Sequence, residues 1–248
     1  EMAQFSTDTM LNAISDDLCE LRVEFDNWFS EKSLFGSDEY TDTIGELESK
    51  SYLKKMDSAL WFVSTMLEEE KDNVIVKSTG EPTYFASDIA YHRNKFKTRG
   101  FDQVIDIWGA DHQGHISRLK AAMRALDIDD SKLKILISQM VTLKQGDEIV
   151  KASKRTGDFV TVKELVEEVG SDACRYFFLT RSASSQMEFD MELAKKTSNE
   201  NPVYYIQYAH ARLSKIMSQN TLDKDFEIPS SDTLEEIERD LIIHCLRV

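Results

Sequence analysis

The sequence predicts an α/β fold with a parallel sheet, preceded by a mixed α+β segment and followed by an all-helical one. Two observations predict it. Between residues 78 and 195, apolar runs of strand length alternate with segments of helical period, as in an α/β layer. After residue 196 only helical period remains. The expected segments are therefore 1–77, 78–195 and 196–248.

Met10, Ile14, Leu18 and Leu21 recur at helical spacing, with Asp16, Asp17 and Glu20 opposite, which predicts a first helix. Val23, Phe25 and Trp28-Phe29 suggest a short strand. A helix is expected over 43–53, carrying Ile44, Leu47 and Leu53. Leu60 to Val63 and Val74 to Val76 predict two strands joined by the acidic connection 68–73. This N-terminal third offers no chemistry of its own. A helix is expected from Tyr84 to Thr98, with Gly100 placed to end it. Val104 to Trp108 predicts a strand that Gly109-Ala110-Asp111 breaks. A helix follows from about Gly114 to Leu126, then a strand region from Leu133 to Leu143. Thr161-x-x-Glu164 is a capping box, and 172–179 is a further helix. Asn201-Pro202 is a helix start, with Val203, Ile206, His210, Leu213 and Ile216 as its inner stripe. After a Ser-, Asp- and Pro-bearing loop, Thr233 opens a last helix with Leu234, Ile237, Leu241 and Ile242 inside.

At 248 residues the chain suits one large domain or two small ones, and 41% hydrophobic content supports a core. Lys+Arg 30 against Asp+Glu 45 leaves a net charge of −15. That argues against a general nucleic-acid coat or a membrane-surface binder, since both need a cationic field. A nucleic-acid partner met by local basic patches stays open. No apolar run approaches the roughly 18 residues a bilayer span needs. Glu1 to Gln4 lacks the signal-peptide pattern, so a cytoplasmic location without membrane contact is expected. Cys19, Cys174 and Cys245 are too scattered for a metal knuckle and are expected as reduced, buried thiols.

Two turns carry chemistry. Lys151-Ala152-Ser153-Lys154-Arg155-Thr156-Gly157 packs three cations and a serine into a turn ending in glycine. It suits a polyphosphate, although solvated basic turns share the pattern. In Gly109-Ala110-Asp111-His112-Gln113-Gly114-His115, the first glycine lets a ligand approach the backbone, and Asp111 offers a carboxylate to ribose hydroxyls. The histidines can donate to phosphate. The rival reading is a plain strand-to-helix turn with Asp111 as N-cap. His112-x-x-His115 lacks a third ligand for zinc, so no structural metal is expected. Both turns follow strands, where open α/β sheets bind ligands. His92 receives no role.

The chain resembles the arginyl-tRNA synthetases, a class I family. The residues that carry the likeness are Glu81-Pro82-Thr83-Tyr84-Phe85-Ala86-Ser87-Asp88-Ile89-Ala90-Tyr91-His92, then Trp108 to His112, then Ser153 to Thr161, and last Ser198 to Arg212. They stand in order between about residue 70 and residue 217, and the first 70 residues fit more loosely. The resemblance implies the second half of a Rossmann-like catalytic domain, with 196–248 as the start of a helical anticodon-binding domain. It implies a reaction in which arginine and ATP give arginyl-adenylate and pyrophosphate, and the arginyl group passes to tRNA(Arg). ATP is then a substrate, with Mg2+ accompanying it, and the parent protein is expected to be a monomer.

The resemblance also implies roles. Lys154 matches the lysine that stabilises charge on the transferring phosphates, and Lys151 and Ser153 help to hold pyrophosphate. Ala152 stands where the family usually has Met. Gly109, Asp111 and His112 match the ribose and adenosine site, and Gln139, Met140 and Val141 the stretch near adenine. Tyr84 and Asp88 match the residues that read the arginine side chain. They are four apart on one helix face, and a guanidinium seeks a planar carboxylate. An ordinary capped helix start accounts for the same pair. Tyr204, Tyr205 and Tyr208 are expected to pack, and Arg212 is a candidate tRNA contact.

The family also carries a His-x-Gly-His signature after its first strand. His112-Gln113-Gly114-His115 does not fill that role, because it follows the ribose-site turn and comes too soon before Lys151. The signature, the first half of the sheet and most of the anticodon domain are therefore expected to lie outside this chain, which alone is expected to be inactive. Two alternatives stand beside this reading. One is a non-catalytic binding or regulatory protein with a synthetase-like core; the other is a synthetase for a different amino acid, which Tyr84, Asp88 and the 198–212 run disfavour.

Overall fold

The computed structural model describes residues 2–146, 148–150, 160–219 and 234–246. The chain divides into two compact units, 1–196 and 197–248. The first is a mixed α/β unit, and the second contributes two described helices.

The first unit opens with α1 (Met2–Glu20), α2 (Lys32–Gly36) and α3 (Glu39–Ser49). α1 is the predicted helix, but its apolar stripe is not a core: Met10 and Ile14 are exposed. The expected strand at 23–29 is absent; this stretch is irregular. Its aromatic rings pack one by one, Phe29 stacking on Tyr91 at 4.3 Å and Phe25 meeting Trp28 edge to face. The helix expected over 43–53 lies earlier, because Ser51 takes a positive φ of 62° and stops it. Leu53 instead begins β1 (Leu53–Met56), which pairs antiparallel with β2 (Ala59–Phe62). The turn between them has positive φ at both Asp57 and Ser58, the backbone a two-residue hairpin requires. β3 (Asn73–Val76) completes this antiparallel sheet, as the two predicted strands imply.

α4 (Tyr84–Arg93) is capped by Thr83, whose hydroxyl donates to the Val74 carbonyl at 3.0 Å and accepts from the Ala86 N–H. One residue thus ties the helix start to β3. The predicted helix continues only as a π turn over Asn94–Thr98, and Gly100 follows with a φ of 69°. Next come β4 (Val104–Gly109), a 3-10 turn over Ala110–His115, and α5 (Ile116–Ala125). The Leu133 to Leu143 region is two strands, β5 (Leu133–Ser138) and β6 (Val141–Gln145), which belong to different sheets. β4 and β5 pair in parallel, in register from Val104↔Leu133 to Gly109↔Ser138. β6 lies between β7 (Glu148–Ile149), antiparallel, and β8 (Met187–Asp190), parallel. The parallel pairs are therefore distributed over two small sheets rather than one.

α6 (Val162–Val169) opens on the predicted capping box: Glu164 N–H donates to Thr161 Oγ1 at 3.1 Å, and Thr161 N–H donates to Glu164 Oε2 at 2.7 Å. α7 (Ser171–Leu179) and α8 (Met191–Lys195) complete the unit. In the second unit, α9 (Pro202–Gln219) and α10 (Glu236–Leu246) form where helical period predicts them. Their expected inner stripes differ from prediction: Ile206, Leu213, Ile216, Ile237 and Leu241 are exposed. Cys174 is buried as expected, but Cys19 and Cys245 are exposed.

The core of the first unit joins Leu47, Phe62, Ile75, Ile89, Leu119 and Met123, from helices and strands on either side of α4. Ala121, Ala122 and Ala125 are all fully buried, so α5 approaches its neighbours closely. At the rim, Glu46 accepts from Lys97 at 2.5 Å, Lys50 at 2.9 Å and Arg93 at 3.1 Å, linking α3 to α4 and the π turn. Burial alone would push the Glu46 carboxyl up, but these three cations hold it down at about 2. A lowered carboxyl contributes stability above its unfolded value, near 4.3, that is lost as pH falls through the folded value. We expect acid scans between about pH 5 and pH 2 to show a steeper loss of Tm in the native chain than in Glu46→Gln. Parallel curves would mean that the cluster contributes nothing net.

Candidate active site

The parallel pair β4–β5 sets the geometry. Its register ends at Gly109 opposite Ser138, so the turn after β4 and the residues after β5 emerge side by side. This brings Gly109, Asp111 and His112 to the same sheet end as Gln139, Met140 and Val141. Gln139 N–H donates to the Ala183 carbonyl at 2.8 Å, and Met140 is 81% exposed.

Gly109 has an ordinary extended backbone, with φ −66° and ψ 155°. Its need for glycine is spatial: a Cβ there would lie 2.7 Å from Asp111 Oδ1. The Asp111 carboxylate folds back over the glycine rather than capping the following turn. It is open to solvent and has His112 Nε2 3.7 Å from Oδ2. Such a carboxylate, backed by a bare backbone, can take a diol. In Gly109→Ala the methyl displaces a short, exposed side chain, so stability should change little. Binding of a diol-bearing ligand at this turn should weaken about tenfold or more, because an ångström of misplacement is costly at a reacting site. Unchanged ligand binding would separate Asp111 from any diol.

His112 meets His115 edge to face at 5.4 Å and Trp108 at 6.4 Å. Burial pushes the His115 imidazole down, and Arg118 pushes it further in the same direction. His115 is therefore neutral near pH 7 and can donate or accept a hydrogen bond there. Among the described residues no third acidic, Cys or His group converges on this pair as a metal set.

Tyr84 and Asp88 lie one turn apart at the start of α4, where the Thr83 cap fixes them. Tyr84 is 87% exposed. Asp88 is exposed to solvent, yet partial desolvation by the groups around it pushes its carboxyl up. His92 and Arg118 oppose that rise, while Glu31 and Asp106 add to it. Among the described residues no side chain pairs with the Asp88 carboxylate.

Arg118 was not marked by the sequence. It stacks over the Phe85 ring at 4.8 Å, and its Nε is buried without a hydrogen-bond partner. It also lines an open cavity of about 560 Å³ with Gly114, His115, Ser117, Asn73 and the acidic connection 68–71. That connection, read from sequence as chemically idle, is a built wall. Ser117 Oγ donates to Glu69 at 2.9 Å, and Asp72 accepts from the backbone and hydroxyl of Thr65.

The other missed group is His92, 3% exposed, with the buried Asp106 of β4. His92 Nε2 is 2.6 Å from Asp106 Oδ2, and Nδ1 is 2.7 Å from the Asp88 carbonyl. Lys95 Nζ reaches Asp106 Oδ1 at 2.8 Å. A lone carboxylate inside Val104-Ile105-Asp106-Ile107-Trp108 was the available signal, since a charge in an apolar strand needs partners.

Lys151, Ser153 and Lys154 lie outside the described residues. The flanks of their segment are described: Val150 N–H donates to the Leu143 carbonyl at 2.9 Å, and Thr161 caps α6. In the second unit, the Arg212 guanidinium lies 5.8 Å from the Tyr208 ring centre and donates to its hydroxyl at 3.4 Å.

With this geometry in view, comparison with known proteins gives consistent findings. Residues 8–211 match the model of the family described as tRNA synthetases class I (R), catalytic domain. An arginine–tRNA ligase of Dehalococcoides mccartyi is 54% identical over 245 residues, covering 98% of this chain and 44% of that protein. One from Caldanaerobacter subterraneus subsp. tengcongensis is 52% identical over 209 residues, covering 84% and 37% respectively. A solved structure named for an arginyl-tRNA synthetase of Campylobacter jejuni has a TM-score of 0.89 at 35% identity, covering 99% of this chain and 54% of its own. The arginyl-tRNA synthetase of Thermus thermophilus shares the fold, with a TM-score of 0.75 at 18% identity over 98% of this chain and 50% of its own. The chain thus spans less than half the length of these curated relatives.

Proposed function

Because the chain belongs to the class I arginyl-tRNA synthetase catalytic-domain family, we propose that the protein carrying it activates arginine with ATP and transfers it to tRNA(Arg). The observation that carries this reading is the Asp88 carboxylate, open to solvent and without a side-chain partner among the described residues, one turn from Tyr84 on α4. A guanidinium can meet such a carboxylate through two parallel N–H donors, and partial desolvation strengthens the pair.

In this reading Asp111 accepts from the ribose hydroxyls, Gly109 leaves them room, and backbone groups at 139–141 border the adenine. The arginine carboxylate oxygen attacks the α-phosphorus, and the bond to the bridging oxygen breaks to release pyrophosphate. Lys154 and Lys151, with Ser153, neutralise charge that grows on the phosphates. His112 donates to a phosphate oxygen. A terminal adenosine hydroxyl of the tRNA then attacks the arginyl carbonyl, and AMP leaves. Mg2+ would accompany ATP and would supply neutralisation of phosphate charge.

We place β4 and β5 in a larger Rossmann-like parallel sheet whose first half comes from elsewhere in the protein. Among the described residues β4 has one unpaired edge, and Ile105 and Ile107 are exposed. Residues 197–248 begin the helical anticodon-binding domain, with Arg212 towards tRNA. The chain alone is expected to lack catalysis. Arginine-dependent ATP–pyrophosphate exchange with tRNA present tests both statements. The complete protein should exchange and the isolated chain should not. A complete protein that binds tRNA without exchange would favour a non-catalytic binding protein, and exchange with another amino acid would reassign the specificity.

A further inference from the structure

We infer that His92 is a positioning residue for arginine recognition, held by Asp106 and Lys95, which locks the helix bearing Asp88 to the strand that leads into the Asp111 turn. The inference rests on the proposed role of Asp88.

The geometry is specific. A backbone carbonyl can only accept, so His92 Nδ1, 2.7 Å from the Asp88 oxygen, carries a proton. Nε2 faces Asp106 Oδ2 at 2.6 Å. Burial would push the Asp106 carboxyl up, but His92 and Lys95 together hold it down, so it stays an ionised acceptor. The ring therefore bridges two acceptors, the Asp88 carbonyl and the Asp106 carboxylate. His92 is 3% exposed and Asp106 8%, which strengthens each contact relative to one in water.

The local fold is shaped to bring these groups together. α4 ends in a π turn at Asn94, a form that often marks functional sites. Lys95, the second residue of that turn, reaches the free Asp106 oxygen, and its Nζ also lies 4.3 Å from the Tyr91 ring centre. Phe29 stacks on the other partner of that contact, Tyr91, at 4.3 Å. The cluster thus has His92 on one Asp106 oxygen, Lys95 on the other, and an aromatic backing.

Two consequences follow for Asp88. Its backbone carbonyl is pinned by the imidazole one turn away, which limits rotation of the helix start. Its carboxyl also feels the nearby imidazole. The charged groups that bear on it are His92 on its own helix, Glu31 before α2, Arg118 on α5 and Asp106 on β4. Of these, His92 and Arg118 favour the ionised form that a guanidinium needs, whereas Glu31 and Asp106 oppose it. Removing the imidazole leaves Arg118 alone against burial and two carboxylates.

The test uses the complete protein, with His92→Gln read beside Asp88→Asn. Glutamine keeps polarity and size but cannot donate to both acceptors or carry charge. His92→Gln should raise the KM for arginine about tenfold while the KM for ATP stays within about twofold, and the acid limb of arginine use should move to higher pH. Equal changes in both KM values, or an unchanged arginine KM and pH profile, would leave His92 a packing residue and overturn the inference. Asp88→Asn separates the two levels. If that variant uses arginine normally, the proposed site itself fails and takes the inference with it. If it is crippled while His92→Gln is not, only the inference fails. Should His92→Gln not fold, nitrogen NMR of the unmodified protein decides. Two protonated ring nitrogens at pH 7 support the inference, and a singly protonated ring overturns it.

Discussion

Asp88→Ala is expected to lower kcat/KM for arginine about a thousandfold, with little change in the KM for ATP or in Tm. The size follows from what the substitution leaves behind. In the proposed site a bound guanidinium gives up water to pair with Asp88. Without Asp88 it keeps only the unfavourable field of Arg118, a like charge that bears on the same carboxyl. Breaking a desolvated ion pair by removing one partner costs about 3–5 kcal/mol, and 4 kcal/mol is about a thousandfold. Stability should survive because no side chain among the described residues pairs with the carboxylate. Tyr84→Phe should cost far less, since an 87% exposed ring keeps its packing and loses one hydroxyl. Steady-state exchange kinetics for the two variants at several arginine concentrations would check both statements. Near-normal arginine use by Asp88→Ala would remove it from the pocket.

Asp88 also shows how legibility varied along the chain. The turns at strand ends could be read from sequence because their chemistry is local: Gly109-Ala110-Asp111 and the Thr161–Glu164 capping box are each settled within four residues. What escaped was set by partners distant in sequence. β1 reads as charged Leu53-Lys54-Lys55-Met56 and forms because it pairs with β2 across a turn lacking Asn or Gly. β8 does alternate, with Met187 and Phe189 buried and Glu188 exposed, so its period was available in the sequence. Its parallel pairing with β6 was not. The aromatic run at 23–29 has strand propensity but no strand beside it, and propensity yields to packing there. Arg118 and His92 lie on helix faces whose partners arrive from other elements, so neither could be weighed before the fold was known. The helical stripes of α9 and α10 make the opposite point. Period correctly gives the helix but does not say what covers its apolar face.

Lys154→Ala should produce the second large loss, about a hundredfold to a thousandfold in kcat for adenylate formation. Its distinguishing mark should be a KM for arginine that barely moves, because in the proposed reaction the lysine acts where charge grows rather than where arginine is held. The chain's balance of −15 makes local cations matter more, since the surrounding field opposes a polyphosphate. In that field the Lys151 to Arg155 run is the densest basic segment between the two flanking anchors, the Val150 contact to Leu143 and the Thr161 cap. Those anchors fix where the segment leaves and re-enters the fold, close in sequence to the 139–141 link from β5 into β6. Lys154→Arg is the sharper probe. It keeps charge but replaces a compact ammonium with a wide planar fork, so a point-charge role predicts partial recovery at most. Pre-steady-state measurement of arginyl-adenylate formation would separate the chemical step from transfer to tRNA. A transfer defect with normal adenylate formation would move Lys154 from phosphate chemistry to the tRNA step, whereas a kcat within about twofold of normal would return the run to a solvated basic turn.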